Sequence, residues 1–157
     1  MAEQDTAKWV ARLNDLIAVD IDAVNAYGAA IERVKHVDIK QRLGEFQKDH
    51  ERHIRELSAY VTRFGGKPRT RADVKGFFLK GFTALTSMVG DEAALRAMQG
   101  NEQLTNRSYK EALEEAWPDD LRQVIAHNYG DEQRHLAYIR DALHNRAWEQ
   151  SEPVQHA

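Results

Sequence analysis

Six ionisable side chains, Asp20, His50, His53, Glu102, Glu132 and His135, occupy positions where the flanking helical pattern is otherwise apolar. Together they offer oxygen and imidazole ligands. The chain has no cysteine, which removes thiolate zinc, iron–sulfur clusters, disulfides and a cysteine nucleophile at once. A carboxylate or imidazolium taken out of water alone costs several kcal/mol, so the six imply mutual ion pairs, trapped water or a metal ion. Their spacing also repeats. Residue numbers differing by 82 pair Asp20 with Glu102, Tyr27 with Tyr109, His50 with Glu132 and His53 with His135. Asp49 and Arg52 recur at the same offset as Asp131 and Arg134. Each half therefore carries a carboxylate, a tyrosine seven residues on, and a ligand-x-x-His pair. Two such hairpins related by a pseudo-twofold axis would present matching ligands to two metal positions.

The helices that carry these groups can be read as heptad seams. Leu13, Ile17, Asp20, Val24, Tyr27, Ile31 and Val34 step by four and three, as do Ile39, Leu43, Phe46, His50, His53, Leu57, Tyr60 and Phe64. The third seam is Leu95, Met98, Glu102, Thr105, Tyr109 and Ala112; the fourth is Leu121, Ile125, Asn128, Glu132, His135, Ile139 and Ala142. These positions face partner helices. Each seam is broken near its middle by ionisable residues, which helices of similar length bring to one level of the bundle.

Punctuation sets the bounds. The first helix is expected over about 5–36 and the second over about 38–64, closed by the Gly65-Gly66-Lys67-Pro68 stop. Gly90-Asp91 opens the third, which ends at Trp117-Pro118, and Asp119-Asp120 opens the fourth, reaching roughly Trp148. Val74, Phe77, Phe78, Phe82, Leu85 and Val89 predict a short amphipathic helix within the long crossover. Strand alternation never persists. The expectation is an all-α antiparallel four-helix bundle of two helical hairpins: one domain over 1–150 and a flexible tail over 151–157.

With these residues the sequence resembles the ferritin-like superfamily of di-iron carboxylate proteins, such as bacterioferritin and rubrerythrin. That superfamily places Glu-x6-Tyr, Glu-x-x-His, Glu and Glu-x-x-His on successive helices. Asp20 with Tyr27 is similar to the first element, His53 to the second-helix histidine, Glu102 to the third, and Glu132-Gln133-Arg134-His135 to the fourth. Leu13-Asn14-Asp15-Leu16-Ile17 and the Phe64-Gly65-Gly66-Lys67-Pro68 turn resemble short bacterial ferritin-like proteins grouped as a domain of unknown function. The resemblance implies a ferritin-like fold and a ligand set for two iron ions. Mixed imidazole and carboxylate without sulfur also suits manganese or zinc.

His50 departs from that pattern, standing where a second-helix glutamate would bridge the two irons. On the expectation that imidazole binds through one nitrogen, the set loses a bridge and is one unit less negative than four carboxylates. The readings left open are a dinuclear site with one protein bridge completed by oxide, hydroxide or a small anion, and a mononuclear site around His53, Glu132 and His135. Glu51, one residue further on, enters only if the helix is locally rewound.

Other features have plainer readings. Tyr27 and Tyr109 read first as seam packing, with hydrogen bonding or redox participation as the alternative. Arg52 and Arg134 read as flanking partners of carboxylates, and Asp49, Asp131 and Asn128 as acceptors for ligand histidines. Gly100 and Gly130, each two residues before a candidate ligand, allow close helix approach or a bulge. A metal-free polar layer that fixes helix register is the structural alternative to a metal site.

The 157 residues are 42% hydrophobic and 30% charged, with a net charge of −3, which suits one globular domain and gives no global attraction for nucleic acid or anionic lipid. No run is apolar enough to span a membrane, and the first residues lack a signal peptide's pattern, so a cytoplasmic protein is expected. The functions in view are a non-haem di-iron oxidoreductase using oxygen, peroxide or another small-molecule oxidant, an iron-storage subunit, and a metal-free stress or interaction protein. Stripes containing Trp9, Phe77, Phe82 and Trp148 point to a further packed surface, either a homodimer contact or packing of the crossover helix.

Overall fold

The computed structural model describes residues 2–72 and 89–151. Four helices account for nearly all of them: α1 (Ala2–Arg33), α2 (Val37–Arg63), α3 (Asp91–Ala112) and α4 (Asp119–His144), followed by a 3₁₀ turn at Ala147–Glu149. Among the described residues there is no strand. The expected crossover helix and the tail from residue 152 lie outside the described residues.

α2 and α3 end for local reasons. At the close of α2, Gly65 takes φ 79°, and the Gly66 and Gly65 N–H groups donate to the Val61 and Thr62 carbonyls at 2.9 Å each. This is the Schellman arrangement the Gly-Gly pair predicts. A Cβ on Gly66 would come within 2.6 Å of the Val10 side chain, so the second glycine also admits α1. α3 stops at Ala112, five residues earlier than Pro118 alone implies. The Glu114 and Glu115 N–H groups donate three residues back, and the Trp117 indole N–H, 2.6 Å away, takes the Ala112 carbonyl that another helical turn would use. α1 and α2 are joined by three residues whose Lys35 and His36 N–H groups donate to the Asp91 carboxylate at 2.8 and 3.0 Å. The first residue of α3 thus holds the connection of the other hairpin.

α1 packs on α2 and α3 on α4, while α1 lies against α3 and α2 against α4. Cross-contacts fix the directions. Tyr27 meets Glu102 while Tyr109 meets Asp20, so α1 and α3 are antiparallel. Arg134 meets Asp49 while Tyr60 meets Asp120, so α2 and α4 are too. The end of α2 and the start of α3 therefore lie at opposite ends of the bundle, which is why the hairpins need a long connection.

The apolar core is two separate clusters. One contains Tyr27, Leu43, Leu95 and Ile139; the other contains Leu13, Leu57, Tyr109 and Ile125. The offset of 82 exchanges them: Leu13 pairs with Leu95, Leu43 with Ile125, Leu57 with Ile139 and Tyr27 with Tyr109. A pseudo-twofold axis through the layer between the clusters relates the hairpins. The seams of α3 and α4 are buried as expected. In α1, however, Ala23, Ala26 and Ala30 are buried, whereas Val24 and Ile31 are only half-buried. A helix packed on two partners buries a wider stripe than a two-helix seam. For the same reason Val61 is buried in α2, and Tyr60 and Phe64 stand at the edge.

Candidate metal centre

Between the two apolar clusters lies a polar layer. Asp20 from α1, His50 and His53 from α2, Glu102 from α3, and Glu132 and His135 from α4 all converge there, each without solvent exposure. The structure thus brings all six sequence-predicted residues together. Glu51 is exposed on an uninterrupted α2, and no rewinding brings it inward.

The ligand atoms fall into two overlapping groups. Asp20, His50, His53 and Glu132 each offer one atom within 4.8 Å of the others, and so do His50, Glu102, Glu132 and His135. His50 and Glu132, related by the offset, belong to both. In the first group His53 Nδ1 lies 3.2 Å from both Asp20 Oδ1 and Glu132 Oε1. In the second, His135 Nδ1 lies 3.3 Å from Glu102 Oε1 and 3.7 Å from Glu132 Oε2. Glu132 Oε1 and His135 Nδ1 have no properly oriented hydrogen-bond partner although both are buried. A lone pair left facing other ligand atoms is what a cation would satisfy, so these residues fit a metal ion.

Outer groups aim the ligands. The Nε2 edge of His53 faces Asp131 at 3.0 Å, and that of His135 faces Asp49 at 2.8 Å. Each carboxylate is held by the opposite hairpin's arginine: Arg52 reaches Asp131, and Arg134 reaches Asp49 at 2.7 Å. A carboxylate accepting the outer N–H leaves the Nδ1 lone pair facing inward, a device common to metal-bound histidines. Asp49 and Asp131 are therefore the acceptors that the sequence predicts. Asn128 is buried beside Tyr109 instead.

Both tyrosines pack in the apolar clusters, as their seam spacing predicts, and each also makes the hydrogen bond of the alternative reading: Tyr27 Oη donates to Glu102, and Tyr109 Oη donates to Asp20 at 2.5 Å. Burial and the adjacent carboxylates hold both phenols well above their ordinary pKa, so they remain O–H donors. Thr105, a seam residue by spacing alone, places its hydroxyl 2.9 Å from oxygens of both Glu102 and Glu132. Asn106 Nδ2 donates to the backbone carbonyls of the same two residues at 2.7 and 2.9 Å. The offset counterparts of Thr105 and Asn106 are Ala23 and Val24, so no repeated signal exposed them. Helices run unbroken through Gly100 and Gly130, with open space where a Cβ would stand. Neither glycine makes a bulge or a close approach.

Without metal the layer is a lattice of charge-assisted hydrogen bonds. Burial alone would lower the histidine pKa values, but the facing carboxylates outweigh it, raising His53 to about 10 and His135 to about 9. His50 is raised as well, with Glu132, Asp20 and Glu102 overcoming burial. Conversely, burial would raise Asp20 and Glu102, and hydrogen bonds from the histidines hold both below the ordinary carboxylate range. A cation entering this layer must displace imidazolium protons.

No curated protein matches the sequence. Among solved structures, the chain is similar to a two-domain protein from Anabaena variabilis containing DJ-1/ThiJ/PfpI-like and ferritin-like domains, with 18% identity and a TM-score of 0.75. The match covers 97% of this chain and 40% of that one. At that identity the likeness concerns the fold, which is a ferritin-like four-helix bundle. The Leu13–Ile17 segment and the Gly-Gly turn lie within the 8–115 stretch that matches a family profile, and the chain belongs to that family, described as a domain of unknown function, DUF2383.

Proposed function

We propose that the polar layer is a dinuclear metal centre, with iron as the resident ion, and that the protein is a non-haem oxidoreductase acting on dioxygen or peroxide. The observation that carries this reading is the pair of overlapping ligand groups, each within 4.8 Å and sharing His50 and Glu132. Asp20 and His53 would hold one ion, and Glu102 and His135 the other. The donor set of nitrogen and oxygen without sulfur suits iron or manganese, and the ferritin-like fold favours iron. A bound iron pair supplies one- and two-electron exchange with a small oxidant.

The chain's own residues prepare the site. Asp131 and Asp49 accept from His53 and His135 and fix which imidazole nitrogen faces inward. Tyr27 and Tyr109 hold Glu102 and Asp20 by O–H donation, each from the opposite hairpin. The apolar clusters on either side keep bulk water from the layer. Reconstitution with ferrous iron under anaerobic conditions, followed by exposure to air, tests the reading. It predicts two ferrous ions bound per chain and an oxidation-linked absorption change, while protein that binds no iron refutes it.

A metal-free register-setting layer is favoured by one observation, the direct 2.8 Å contact between His50 Nδ1 and Asp20. Replacing His53 and His135 by Leu separates the readings. An unchanged or higher melting temperature with no metal lost supports the metal-free layer; loss of bound metal supports the centre.

A further inference from the structure

His50 presents both ring nitrogens to acidic groups. Its Nδ1 lies 2.8 Å from Asp20 Oδ1 and 3.4 Å from Glu132 Oε1. Its Nε2 lies 3.2 Å from Glu102 Oε1 on the other side. No Asp49-like carboxylate takes its second nitrogen, unlike His53 and His135, whose Nε2 atoms face outward. The ring therefore lies across the layer, one edge in each ligand group. Its twofold partner Glu132 is divided in the same way: Oε1 faces His53, and Oε2 lies on the His135 side.

We infer that His50 is a bridging ligand, binding one metal ion through Nδ1 and the other through Nε2. This rests on the dinuclear reading above and replaces the expectation that a histidine here removes a bridge. As the second ion binds, the ring's remaining N–H proton leaves to solvent and the ring becomes an imidazolate. With Asp20, Glu102 and Glu132 ionised, that negative ring restores the charge of four carboxylates, so two divalent ions are neutralised as fully as in an all-carboxylate site. The geometry also changes. Two metal–nitrogen bonds of about 2 Å plus the ring's width set the ions about 6 Å apart, whereas carboxylate- or oxygen-bridged pairs sit about 3.5–4 Å apart.

The test is a crystal structure of the full chain loaded with zinc alone, with ion positions taken from anomalous scattering. The expected result is two zinc ions about 6 Å apart, in line with Nδ1 and Nε2 of His50. His50→Glu, which supplies a carboxylate bridge, should draw the pair in to about 3.5–4 Å. Two ions already that close in the unaltered protein, or a single ion, overturns the bridge and leaves metal binding standing. No zinc overturns both. The unaltered protein decides the matter if the variant does not fold.

Discussion

Asp131 touches no proposed metal position, yet it receives His53 and Arg52 together. Asp131→Asn keeps the shape and weakens the carboxylate that fixes the His53 tautomer, so metal affinity should fall by about 10–100-fold with helix content unchanged; titration calorimetry reads the affinity and circular dichroism the helix content. Titration of the metal-free protein has a defined direction. His53 and His135 are raised to about 10 and 9, so their stabilisation is complete below the ordinary histidine value of 6.5 and fades as pH climbs through 9 and 10. Glu102 and Asp20 are lowered, so their share is complete above their ordinary values and is lost as pH falls beneath them. The melting temperature of metal-free protein should therefore decline from pH 6.5 to 10; a flat or rising profile contradicts the charged layer. The six converging residues were legible because a buried charge rarely interrupts an apolar seam without a partner, and here the interruptions recur at one offset. The tyrosine hydrogen bonds and Thr105 were not, because an aromatic or a threonine at a seam position packs equally well without a polar partner.

At the scale of helices, Gly100 and Gly130 have open space at the Cβ position and stand on exposed turns of α3 and α4. Replacing either by Ala should stabilise the fold by up to about 1 kcal/mol, because the helix gains propensity and the unfolded chain loses freedom; denaturant unfolding measures it. Asp91→Ala should cost about 1 kcal/mol, since its carboxylate accepts from the Lys35 and His36 N–H groups just before α2. Helix number, order and most bounds could be read from seams, Gly-Gly and Pro. The inward face of α1 could not be read as fully, because a heptad seam assumes one partner and α1 has two, which brings Ala23 and Ala30 inside. The Asp91 cap escaped because its partners lie 55 and 56 residues away in sequence.

Across the whole molecule, a buried polar layer divides the apolar core into two clusters related by a twofold axis. That layout makes stability depend on what the layer contains. Metal that binds the folded chain and not the unfolded one stabilises it by mass action, about 2.7 kcal/mol at a hundredfold excess over the dissociation constant. Among the described residues no helix is long and apolar enough to cross a membrane. Trp9 is engaged within the chain, its indole donating to the Ala116 carbonyl at 3.0 Å and its ring 5.4 Å from that of Phe64. Trp148 packs on the edge of one core cluster. On the proposed reading, six residues hold two metal ions, which a generic polar core would not do. Elemental analysis of iron-reconstituted protein, beside a Glu132→Gln/His135→Leu double variant of equal helicity, tests it most directly. Two iron ions per chain are expected in the unaltered protein, with a loss in the variant. No iron above the blank in the unaltered protein, or equal iron in both, would contradict it.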